Sequence, residues 1–112
     1  MTTRRQLAEF ELLLLLAVMR LGEEGYGAAL RREIEARTDR AVSIGAVYAT
    51  LGRLEEKGLV AFRISEPEPV RGGRSRKHVR LTPDGRRSIE HSVGILGRMT
   101  EGLPLGWEAS GT

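Results

Sequence analysis

Between Val70 and Arg87 the chain reads VRGGRSRKHVRLTPDGRR. Arg71, Arg74, Arg76, Lys77, Arg80, Arg86 and Arg87 face a single acid there, Asp84. The whole sequence carries 18 Lys+Arg against 15 Asp+Glu, so this stretch holds +6 and everything outside it sums to −3. Guanidinium and ammonium groups concentrated in one segment do the chemistry of polyanion binding: they neutralise phosphates and release counterions. The competing reading is a solvated loop.

Other chemistry finds no constellation. His78 sits at a strand position and His91 beside Glu90 on a helix, neither at a metal-ligand spacing, so both are expected to be surface or packing residues. Ser43, Ser65, Ser75 and Ser88 lack a placed base, and Gly72-Gly73 lacks the strand-to-helix setting of a phosphate loop. The sequence is therefore read as a non-enzyme with no cofactor and no metal.

The cations need elements to hold them. Leu7 to Leu21 contains no Gly or Pro and is rich in Leu, Ala and Glu, which predicts a first helix. Gly22 and Gly25 break it, and Tyr26 to Arg37 carries Ala29, Leu30 and Ile34 on one face of a second. Ser43 is a plausible N-cap for a third, in which Ile44, Val47, Leu51 and Leu54 recur at helical spacing up to a C-terminal Gly58. LVAFRI (Leu59 to Ile64) and KHVRL (Lys77 to Leu81) then read as hairpin arms. Their connection holds Pro67, Pro69, Gly72 and Gly73, so it is neither helix nor tight turn. Thr82-Pro83-Asp84 supplies a cap, a proline at the first helical position and a first-turn acid for a last helix running to about Leu103.

The remaining composition narrows the class. A chain of 112 residues fits one domain, and 40% apolar with 29% charged residues argues against wholesale disorder. Without cysteine there are no disulfides or thiolate metal sites, which is compatible with a reducing cytoplasmic setting. The run LLLLLAVM from Leu12 to Met19 is too short to cross a bilayer, so no membrane association is expected, and no signal peptide is apparent.

Helix, helix, helix, strand, basic loop, strand, helix is the plan of a winged helix-turn-helix, mainly α with a small β-hairpin wing. Three blocks carry a more specific likeness: Gly25-Tyr26-Gly27; Val42-Ser43-Ile44-Gly45-Ala46-Val47-Tyr48 running into Leu51 and Leu54 to Val60; and Arg80-Leu81-Thr82-Pro83-Asp84-Gly85. In these the chain resembles the PadR family of winged-helix transcriptional regulators, in a short form with one additional C-terminal helix. It departs from that pattern at Ala46, where the family usually has Thr, at Ala49, usually Pro, and at His78 and Val79, usually an aromatic pair. The resemblance implies a DNA-binding regulator, with repression the expected direction, and leaves room for a small-molecule effector between subunits. A winged helix whose wing binds an acidic protein partner is the alternative. The implied division is a DNA-binding domain over residues 1–81, a dimerisation helix over 82–104 and a flexible tail over 105–112.

If Ile44, Val47, Leu51 and Leu54 face the core, then Ser43, Gly45, Ala46, Ala49, Thr50 and Arg53 lie on or near the opposite face of the third helix. Small residues there let a helix enter a major groove about 12 Å wide. Tyr48 reads either as ring packing or as a phosphate contact, and Arg53 either as a DNA contact or as a partner of Glu55 or Glu56. Arg71, Arg74, Arg76 and Lys77 would meet phosphates from the wing. In the last helix Ile89, Val93, Leu96, Met99 and Leu103, widened by Ile95, form an apolar stripe that asks for a second copy. A homodimer on a palindromic duplex operator is the expected assembly; folding back of the stripe on the first helix is the other reading.

Overall fold

The computed structural model describes residues 7–64 and 77–106. Arg71, Arg74 and Arg76, with the connection between the hairpin arms, and the tail from Trp107 lie outside the described residues. The elements follow in the order α1 (Glu9–Leu21), a single 3-10 turn (Gly22–Glu24), α2 (Gly27–Thr38), α3 (Ile44–Glu56), β1 (Val60–Ile64), β2 (Lys77–Leu81) and α4 (Pro83–Thr100).

The leucine run of α1 becomes the centre of the molecule because α2, α3, β2 and α4 all pack on it. Leu14, Leu15 and Val18 from α1 meet Leu30 and Ile34 from α2, Val47, Leu51 and Leu54 from α3, Val79 from β2 and Ile89 from α4 in one core. Each fully buried side chain of this kind contributes roughly 1.5–3 kcal/mol relative to exposure. Two expectations change here. Ile44, read as core, is 36% exposed, since it occupies the first position of α3 and projects past the core edge. Ile89, read as part of a dimer stripe, is 4% exposed and belongs to the core of its own chain.

Capping chemistry sets the boundaries. At the end of α3, Gly58 takes φ +78, a conformation that favours glycine. Its N–H donates to Glu55 O at 2.9 Å, while Leu59 N–H donates to Leu54 O at 2.9 Å. This double closure is a Schellman motif, and it turns the chain directly into β1. Thr82 caps α4 by accepting from Gly85 N–H at 3.0 Å, and its hydroxyl donates to Gly58 O at 2.7 Å, tying the start of α4 to the end of α3. α4 continues through Gly94 and Gly97 but ends at Thr100, earlier than the expected Leu103, because Glu101 leaves helical geometry and Gly102 takes φ +80.

β1 and β2 pair antiparallel, with Val60 opposite Leu81 and Phe62 opposite Val79. The other edge of β2 is also covered: Tyr26 bridges His78, and Val79 N–H donates to Gly25 O at 2.8 Å. His78 is thus a packing residue, buried, with Nε2 3.0 Å from Gly22 O and its ring edge-on to Tyr26 at 5.5 Å.

A buried ion pair ties α1 to α3. Glu11 is 5% exposed; its carboxylate accepts from Lys57 Nζ at 2.8 and 3.0 Å and from Ala8 N–H at 2.9 Å. Burial pushes its pKa up, but the Lys57 ammonium, the Ala8 N–H and the nearby Arg53 outweigh that and hold it below the ordinary 4.5. A carboxyl whose folded pKa is depressed contributes stability that is full above the unfolded value and is lost as pH falls through the folded one. Glu11→Gln is therefore expected to cost about 1.5–3 kcal/mol at neutral pH, the range for hydrogen bonds to a charged group. In urea denaturation the gap from wild type should close as pH drops below 4.5; a gap independent of pH would refute this role.

Candidate nucleic-acid interface

The exposed side of α3 begins at its cap. Ser43 Oγ accepts from Ala46 N–H at 3.0 Å, which satisfies one free donor of the helix end and leaves the hydroxyl proton available as a donor. Gly45, Ala46 and Ala49 are exposed, with no more than methyl groups on this surface. Arg53 continues the same row one turn further on and is the sole cation within α3.

Thr50 does not belong to this face. It is 2% exposed, because it stands three residues after Val47 and four before Leu54 and so shares their buried side. Its hydroxyl accepts from Arg53 Nη2 at 3.0 Å. Arg53 pairs with neither Glu55 nor Glu56 but reaches Glu11 across the interhelical junction, Nε to Oε2 at 3.9 Å.

Tyr48 packs its ring, as one of its two readings had it. A Cβ added at Gly27 would overlap the Tyr48 hydroxyl and Cζ, so the phenol lies directly on the first turn of α2 and would have to move to admit a larger residue there. Yet Tyr48 remains 48% exposed. It lines an open recess with Tyr26, Gly27, Arg32 and Lys77, where the start of the wing strand meets the start of α2. Lys77 is exposed, and its ammonium stands 4.7 Å over the Phe62 ring, a cation–π contact that fixes the base of the wing.

The basic stretch that stood out in the sequence divides between two places. Lys77 and Arg80 are exposed on β2. Arg86 and Arg87 lie on α4, where Glu90 and Asp84 respectively pair with them. Their charge is locally balanced, so the described surplus belongs to the hairpin. Glu11 and Lys57 escaped sequence reading, although Glu11 falls four residues before Leu15 and seven before Val18, in phase with the buried stripe. Among the described residues no group of three or more His, Cys, Asp or Glu is placed to hold a metal, and no helix is long and apolar enough to cross a membrane.

Three helices, a capped α3 with a bare outer face and a hairpin rising from its end define a winged helix-turn-helix protein. The model of the Transcriptional regulator PadR-like family matches residues 15–91, and the chain belongs to that family. Solved structures share the fold. A PadR family transcription regulator from Clostridium difficile R20291 is 22% identical, with 83% of this chain and 95% of that chain covered at a TM-score of 0.68. A PadR family transcriptional regulator from Eggerthella lenta DSM 2243 is 25% identical, covering 81% and 77% at 0.63. F93 from STIV, a winged-helix DNA-binding protein, is 20% identical, covering 88% and 98% at 0.67. No curated protein matches the sequence.

Proposed function

We propose that the chain is a sequence-specific duplex-DNA-binding repressor of transcription, acting in the cytoplasm as a homodimer on a palindromic operator. The observation that carries this reading is the outer face of α3: a serine-capped N-terminus followed by exposed Gly45, Ala46 and Ala49, with Arg53 beyond them. Such a surface lets the helix backbone approach base edges closely, while Ser43, Tyr48, Arg53 and Lys77 frame it with donors for phosphates. The wing cations Arg71, Arg74 and Arg76 extend that frame in sequence.

The wing supplies affinity that is independent of sequence. Replacing Arg74, Arg76 and Lys77 together with Ala is expected to weaken binding to every duplex. The slope of log K against log salt should flatten by about 0.9 for each phosphate that is no longer neutralised. Fluorescence anisotropy over a salt series measures both; an unchanged slope would exclude wing contacts to the backbone. Absence of any salt-dependent binding by the wild-type protein would exclude DNA as the partner.

A further inference from the structure

The cation on the outer face of α3 is held in place before any partner arrives. Arg53 keeps 56% of its side chain exposed, yet Nη2 donates to Thr50 Oγ1 and Nε faces the Glu11 carboxylate. Thr50 is itself buried, so its hydroxyl cannot reach a duplex lying on the helix surface. Glu11 is engaged at closer range by Lys57, at 2.8 Å against 3.9 Å for Arg53, so it steadies the guanidinium without consuming it. A guanidinium has five N–H donors, and only one is used by Thr50 in this geometry. With Nε turned to Glu11, the remaining Nη donors have no hydrogen-bond partner among the described residues and can meet an anion approaching from outside.

We propose that Thr50, backed by Glu11, is a positioning residue for DNA binding, presetting the Arg53 guanidinium on the exposed face of α3 as a phosphate contact without touching DNA itself. The proposal rests on the reading of α3 as the DNA-facing helix. Its physical basis is preorganisation: an arginine free to sample its rotamers loses that freedom on meeting a phosphate, whereas one already held loses less. The Thr50 hydroxyl does this from a buried position three residues earlier on the same helix.

Thr50→Val removes the hydroxyl while keeping the shape of the side chain. Its binding to a mixed-sequence duplex is expected to be about 2- to 10-fold weaker than wild type at fixed salt, the factor for ordering one long side chain. Arg53→Gln should flatten the salt slope by about 0.9, the change for one phosphate left without its cation. In an Arg53→Gln background the Thr50→Val change should have no further effect, because the two residues act as one unit. Thr50→Ser, which retains the hydroxyl, should bind as wild type. If thermal unfolding shows that Thr50→Val does not fold, the comparison of Thr50→Ser with Thr50→Ala reads the same difference.

Wild-type or tighter binding by the hydroxyl-free variants, or a weakening that persists undiminished without Arg53, would overturn the proposal while leaving the DNA reading intact. Failure of the wild-type protein to bind any duplex would overturn both.

Discussion

Ala46→Glu is expected to abolish specific operator binding while leaving the fold as stable as wild type or slightly more so. Ala46 is exposed on α3, three residues after the Ser43 cap whose hydroxyl accepts from its N–H. A glutamate at that position completes the spacing of a capping box and places an acid in the first helical turn, which is favourable by about 0.3–1 kcal/mol. The same carboxylate would stand where α3 meets the duplex, against phosphates and base edges with no counter-charge. Specific binding exceeds non-specific binding typically by about 10³- to 10⁷-fold, and most of that margin should vanish. Thermal unfolding and operator binding measured on one preparation separate the two effects. Retained operator binding would place the contact surface elsewhere, and loss of folding would contradict the exposure of Ala46.

The order of elements was legible because caps and breakers are local signals. Ser43, Gly58 and Thr82-Pro83 each mark a boundary that the structure places within a residue or two. The facing of α3 was legible only in part. Val47, Leu51 and Leu54 define its buried side, and Thr50 lies on that side by the same spacing, but counting Ile44 as core put Thr50 on or near the opposite face. Arg53 had acids nearby in sequence, while its structural partners are Thr50 and a carboxylate on another helix. Periodicity within one helix carries no information about such a partner. Nor does it say where along a helix the body of the protein ends. Ile89 and Val93 stand on one stripe of α4, yet the first is in the core and the second is 45% exposed, because the buried residues of α4 are Gly85, Ser88 and Ile89, all in its first half. The paired state of Arg86 and Arg87 was within reach, since Asp84 and Glu90 sit at helical spacing from them.

Val93, Leu96 and Met99 changed together to Asp are expected to give a folded monomer whose operator affinity has fallen by about 10²- to 10⁴-fold, the range contributed by linking two binding modules. Leu96, Met99 and Leu103 are 55, 71 and 46% exposed, with Ile95 beside them at 40%. An apolar stripe of that length is unfavourable in water and suits a second copy of the same helix. The helix itself argues in the same direction. α4 runs 18 residues, about 27 Å at 1.5 Å per residue, and its second half has little of its own chain beneath it. Gly94 and Gly97 each lower helix propensity by up to about 1 kcal/mol relative to Ala, so packing must stabilise this part. The stripe lies beyond residue 91, where the family match ends, so its support is physical and not inherited. Ile89 is left out of the variant because it is a core residue, and an acid there would report on folding instead of association. Dimerisation would also serve recognition, since two α3 helices about 34 Å apart can read successive major-groove turns of a palindrome. Sedimentation equilibrium at micromolar concentration measures the assembly. A wild-type mass near 12.4 kDa would dispose of the dimer, and a triple variant that still sediments as a dimer would move the interface off α4.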